Sequence, residues 1–194
     1  MKMFALLLVV AALQSAALQS AAFAQSEDVL TPEEKMDFRA RFYEAVTDED
    51  ATNRLLTSFQ QRFGKNPDDY PPFALAYYGA TETLLGKHAL NPLEKLDWLD
   101  RGLARIAEAL SRRPNSLEFR FLRFSILHHL PDLLGYGETT EQDALSIYRL
   151  LMTGASDEVG SELTVGIVEF LLRSDRISDE REARLRKKYP EAEG

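Results

Sequence analysis

Residues 114–136, PNSLEFRFLRFSILHHLPDLLGY, constrain the fold more than any other stretch of the chain. At about 100° per residue, Leu117, Phe119, Phe121, Leu122, Phe124, Ile126, Leu127 and Leu130 leave no wide polar face. A helix that is apolar on nearly every side has to be enclosed by other helices. Pro114 and Pro131 set its limits, because neither can sit inside a regular helix without breaking it. The rest of the chain must therefore supply a helical shell.

Its punctuation does so. Thr31, Pro32 and Glu34 provide a cap, a first-turn proline and a capping-box glutamate for a helix to about Ala45. Thr47 or Asp48 opens a second helix, with Leu55, Phe59 and Phe63 on one stripe and Gly64 as its stop. Residues 65–72, KNPDDYPP, form a loop. A third helix, 72–85, turns Phe73, Tyr77, Ala80 and Leu84 inward. Gly79 in its middle costs about 1 kcal/mol relative to alanine, which a close helix crossing would offset. Residues 86–91 read as a turn, after which Asn91, Pro92 and Glu94 repeat the cap. The fourth helix carries an inward stripe of Leu93, Leu96, Leu99, Leu103, Ile106 and Leu110.

Beyond the central stretch, 132–137 is a loop, and Thr140 with Asp143 opens a sixth helix that Gly154 ends. Ser156 caps a seventh, in which Val159, Leu163, Gly166 and Phe170 face inward. The last begins at Ser178 with Asp179, Glu180 and Glu182 and ends with Arg184, Arg186, Lys187 and Lys188, complementing a helix dipole. No strand signal is found. The expectation is an all-α chain of about eight helices joined by short loops.

The loops at residues 65–69, KNPDD, and 112–116, RRPNS, look alike, and each separates one helix pair from the next. Gly102, Ile106, Ala109 and Pro114 fall at the spacing of the small, aliphatic, small and proline positions in the second helix of a tetratricopeptide repeat. The chain thus resembles a divergent tetratricopeptide protein, which implies helix pairs in a short α-solenoid or, alternatively, a compact bundle. A second resemblance rests on Tyr78-Gly79-Ala80, on Asn91-Pro92-Leu93-Glu94-Lys95, on Glu118 through Phe124, on Pro131 and on Leu134-Gly135-Tyr136. These residues look like an uncharacterised family of exported bacterial helical proteins. That resemblance implies fold and export, and carries over no activity and no catalytic residue.

Export is also read from the start of the chain. Lys2, the apolar run from Phe4 to Leu13 and the small-x-small site Ala22-Phe23-Ala24 make residues 1–24 a secretory signal peptide, with residues 25–194 as a single helical domain. An uncleaved anchor is the alternative, since the full leader approaches spanning length. The chain has no cysteine, so disulfides, thiolate metal sites, a cysteine nucleophile and lipoprotein attachment are excluded. Lys2 is the only charged residue before Gln25, so loss of the leader leaves 22 Lys and Arg against 31 Asp and Glu, a net −9. Such a field repels phosphate backbones, and no nucleic-acid partner is expected.

Three groups of residues are candidates for a site. Arg120 and Arg123 project from one side of the central helix, about 60° apart on the wheel, and guanidinium groups in apolar surroundings require carboxylate or carbonyl partners. Asp97, Asp100 or Asp132 would pair with them and fix helix packing; the functional alternative is a small-anion pocket. Glu118, Ser125 and His129 form a second stripe with the ingredients of a hydrolase, although a regular helix lacks the exposed elbow and oxyanion donors that serine chemistry needs. Adjacent His128 and His129 point apart, and a metal site is not expected. The third group is aromatic: Tyr70, Tyr77, Tyr78 and Trp98 flank the long loops, with Tyr70 and Tyr136 expected at the surface.

The sequence therefore predicts an exported, periplasmic, cofactor-free interaction or scaffold module of the bacterial envelope with a protein or peptide partner. The alternative is an envelope hydrolase or small-anion-binding protein. A site would open beside Glu118, Ser125 and His129 and the loop carrying Asp132 and Tyr136.

Overall fold

Helix caps laid down by the sequence divide the described part of the chain into eight α-helices, with no strand among the described residues. The computed structural model describes residues 30–154 and 159–192. The leader and the Ser156 cap lie outside the described residues. The helices are α1 Pro32–Ala45, α2 Glu49–Phe63, α3 Pro72–His88, α4 Pro92–Arg112, α5 Leu117–His128, α6 Gly137–Thr153, α7 Ser161–Arg173 and α8 Asp179–Lys188. Short 3₁₀ turns occupy Pro67–Asp69 and Asp132–Leu134. The chain divides into two compact units, residues 1–37 and 38–194. Of the first, the described feature is the capping box: Thr31 N donates to Glu34 Oε2 at 2.9 Å and Glu34 N to Thr31 Oγ1 at 3.2 Å.

Within the second unit, adjacent helices pack in succession, and α3 against α4 is the most extensive pair. Two glycines explain this. A Cβ on Gly79 would lie 2.6 Å from the Gly102 carbonyl oxygen, and one on Gly102 would lie 2.4 Å from that of Gly79. The two backbones touch at this crossing, which compensates the propensity cost of mid-helix glycine. Gly86 repeats the device, its Cβ position 2.9 Å from the Lys95 carbonyl oxygen. It therefore lies inside α3, buried, rather than in the turn that a glycine after Leu85 suggests. Arg105 of α4 reinforces the pair by donating to Glu82 of α3 at 2.6 Å while covering the Tyr78 ring.

The central helix is enclosed as its pattern requires. Leu117, Phe119, Leu122, Phe124 and Leu127 are buried, and the helix starts at Leu117 because Ser116, not Pro114, supplies the cap to Phe119 N. Leu117 and Phe124 join a core with Ala144, Ile147 and Leu151 of α6, Ile167, Val168 and Leu171 of α7 and Leu185 of α8.

Elsewhere tertiary packing overrides the local pattern. α6 begins at Gly137, and the hydroxyl of Thr140 donates back to the Tyr136 carbonyl instead of opening the helix. On α7 the buried face is Thr164, Ile167, Val168, Leu171 and Leu172, with Gly166 exposed. On α4 the inward stripe holds from Leu99 to Leu110, but Leu93 is 73% exposed and Leu96 39% exposed.

Gly102→Ala is expected to destabilise the protein by about 2 kcal/mol, since overpacking against backbone cannot relax through a side chain. Gly166→Ala, a helical position with nothing within 4 Å, is expected to raise stability by about 0.5–1 kcal/mol. Urea unfolding monitored by circular dichroism measures both.

Candidate functional site

Glu118, at the start of α5, is where three helices meet. Its carboxylate accepts Arg39 Nε at 2.6 Å and Arg39 Nη2 at 2.7 Å from α1, and the Tyr77 hydroxyl at 2.6 Å from α3. The group is buried, and a buried carboxylate is tolerated because a bidentate guanidinium and a hydroxyl fill its acceptor sites. Burial and the adjacent Glu118 charge push the Tyr77 phenol well above its ordinary range, so it stays protonated and acts as donor. The Arg39 guanidinium is in turn held more firmly charged, chiefly by its hydrogen bonds to Glu118. Glu118 is thus a clamp behind the surface and not part of an open polar site.

In front of that clamp lies a cleft of about 950 Å³. α1 contributes Phe42 and Tyr43, followed by Val46, and α3 contributes Tyr77, Leu84 and Lys87. α4 supplies Lys95, Leu96 and Leu99; α5 supplies Phe121, Leu122, Ser125 and Ile126, followed by His129 and Leu130. Leu163 and Phe170 of α7 complete the wall. Leu163 and Phe170, expected to face inward, are partly buried: they pack against the core of α5 to α8 and also reach the cleft wall. Phe42 meets Tyr77 edge to face at 5.5 Å, and Phe170 meets Phe121 the same way at 5.4 Å, geometries that aromatic quadrupoles favour.

Ser125 and His129 both line the cleft, but they do not form a catalytic pair. The Ser125 hydroxyl donates to the Leu122 carbonyl at 2.9 Å, a bond back into its own helix. His129 caps the end of α5 through its backbone and is exposed. The acid that would complete a triad, Glu118, is committed to Arg39 and Tyr77.

Arg120 and Arg123 pair with Asp143 of α6, not with Asp97, Asp100 or Asp132. Asp143 is fully buried and accepts Arg120 Nη1 at 2.9 Å and Arg123 Nε and Nη2 at 2.8 Å each. Arg120 also donates to the Pro114 carbonyl at 2.9 Å. Asp143 does not open α6 as its spacing from Thr140 suggests: the helix starts six residues earlier, so the Asp143 side chain falls on the buried face. The two arginines bind α5 to α6 and do not line the cleft.

The aromatic candidates also separate. Tyr70 is 1% exposed, contrary to its placement in a surface loop. Its hydroxyl donates to the Gly64 carbonyl at 2.7 Å, and Arg112 donates to the Tyr70 carbonyl at 2.9 Å and the Asp68 carbonyl at 3.0 Å. The proline-rich loop is therefore folded inward, with burial pushing the phenol up to about 12. Trp98 is half-buried beneath Arg101. Tyr136 is half-buried rather than free, donating to Asp100 Oδ1 at 2.8 Å. Asp132 is exposed at the start of its 3₁₀ turn. Tyr70, Trp98, Asp132 and Tyr136 all lie outside the cleft wall.

Lys87, Lys95, Phe42, Tyr43, Phe121 and Phe170 were not among the sequence candidates. The exposure of Leu96 on an otherwise inward stripe is a sign of the cleft that only the folded chain displays. No group of three His, Cys, Asp or Glu able to hold a metal occurs among the described residues, and no helix among them is long and apolar enough to cross a membrane. Comparison with protein-family models, curated proteins and solved structures finds no match.

Removing either buried carboxylate leaves a guanidinium without its partner, so Glu118→Ala and Asp143→Ala are each expected to cost about 3 kcal/mol. Tyr136→Phe, which deletes one exposed hydrogen bond, is expected to cost less than about 1 kcal/mol. Thermal and urea unfolding of the three variants provide the comparison.

Proposed function

We propose that this chain is an exported binding and scaffold module of the bacterial cell envelope, acting in the periplasm by holding the apolar part of a partner in the cleft between α1, α3, α4, α5 and α7. The observation that carries this reading is the character of the cleft wall. Phe42, Tyr43, Tyr77, Phe121 and Phe170 surround an open space of about 950 Å³, and large apolar concavities of this size are the usual form of a ligand site. The leader residues support export. The resemblance to tetratricopeptide repeats supports a scaffold role with a protein or peptide partner, and the cleft adds that whatever is presented to it be apolar.

The hydrolase alternative has weaker support. Its serine donates to its own helix and its acid is buried in an ion pair, whereas nucleophilic catalysis needs a base oriented on the nucleophile. The small-anion alternative loses Arg120 and Arg123 to Asp143.

The purified chain is expected to bind the neutral apolar fluorophore N-phenyl-1-naphthylamine saturably, at one site per molecule, under native conditions. Ser125→Trp, which projects a large ring into the cleft, is expected to reduce that binding at least tenfold, while Ser125→Ala leaves it unchanged. A native chain that takes up no fluorophore would overturn the reading.

A further inference from the structure

The ionisable side chains of the cleft wall reverse the sign of the chain. The protein carries 31 acidic against 23 basic residues, yet among the described residues the wall includes Lys87, Lys95 and His129 and no carboxylate. The two lysines come to one end of the cleft because Gly86 packs on the Lys95 carbonyl, bringing the last turns of α3 beside the first turn of α4. Lys87 donates to the Val46 carbonyl at 2.7 Å, which holds its ammonium group at the edge. Lys95 is exposed. Two acids act on the wall residue Tyr43, Glu118 of α5 and, less strongly, Glu162 of α7; Glu118 is already bonded to Arg39 and Tyr77, and both acids belong to different helices from the lysines.

Phe121, Leu122, Ile126, Leu130 and Phe170 continue the wall as an apolar surface. Outside the wall, exposed Leu93 and Leu133 adjoin its members Pro92 and Leu134 in sequence. The volume is within the roughly 300–1,000 Å³ of small-molecule sites, and walls from five helices suit one slender chain better than a broad protein face.

We propose that the cleft binds a single-chain anionic amphiphile of the fatty-acid type, with its alkyl chain along α5 and α7 and its carboxylate between Lys87 and Lys95. This rests on the cleft being a binding site and names what fills it. Burial of the chain supplies the affinity, each methylene contributing a factor of about four. The lysines act at an exposed edge, where ion pairs are weak and screened by salt, so they select the head group and its orientation.

Displacement of N-phenyl-1-naphthylamine from the full chain tests this. The competitors are octanoate, decanoate and laurate below their micellar concentrations, the matched 1-alkanols, decyltrimethylammonium and a neutral amphipathic peptide. Affinity is expected to rise about fifteenfold for every two methylenes, with each carboxylate several-fold tighter than its alcohol and decyltrimethylammonium weaker than 1-decanol. Lys95→Glu, at an exposed position, is expected to abolish the carboxylate preference and leave alcohol binding unchanged. Alcohols that match carboxylates, a preference that survives Lys95→Glu, or displacement by the peptide alone would each overturn the proposal while the binding-module reading stands. Failure of the fluorophore to bind the unmodified chain would remove both.

Discussion

Three helices of this protein are held in register by one carboxylate. Glu118 accepts Arg39 from α1 and Tyr77 from α3, although Arg39 is 79 residues away in the chain. A buried charge of this kind is costly without partners and specific with them, so the angle at which α1 approaches α3 and α5 follows from where the guanidinium must sit. The cleft exists in front of this clamp. Phe42 and Tyr43 follow Arg39 along α1, Tyr77 belongs to the clamp itself, and Phe121 and Ser125 lie one and two turns along α5 from Glu118. Position and wall therefore have the same cause.

Two other constraints complete the frame. The Gly79–Gly102 crossing brings α3 and α4 together at backbone distance, which gives the cleft one rigid side. Asp143, buried between Arg120 and Arg123, locks the opposite face of α5 onto α6 and the apolar core beyond it. A helix with Glu118 bonded on one side and two arginines committed on the other has little freedom to rotate. The polar residues of α5 thus serve mainly to fix orientation, and its surface toward the cleft is left apolar, with Ser125 turned back on its own carbonyl.

That division determines what the cleft can do. It presents aromatic and aliphatic surface with few unsatisfied polar groups, which favours capture over covalent chemistry. Under the proposed reading, Lys87 and Lys95 in the wall would add a sign preference to an otherwise apolar site. In a chain so acidic overall, long-range steering of an anion is unfavourable, so local placement of the lysines has to provide selectivity at contact range.

Much of the fold was legible in the sequence because helix caps, periodicity and mid-helix glycine are local signals. The capping box at Thr31, the enclosed central helix and the close crossing at Gly79 follow from residues within one or two turns of each other. Features that depend on distant partners were not legible. The wheel placed Arg120 and Arg123 on one side of α5, but Asp143 becomes their partner only because α6 begins at Gly137 and turns it inward. Tyr70 looked exposed in a loop of prolines until Arg112, 42 residues later, drew that loop onto the core. Glu118, Ser125 and His129 shared a stripe, yet only the last two reach the cleft. The sequence by itself determined which segments are helices and that one of them is buried, because those depend on short-range sterics and solvation. Tertiary structure alone decided which helix faces remain uncovered, because that depends on how many helices can pack around Glu118 before the available apolar surface runs out.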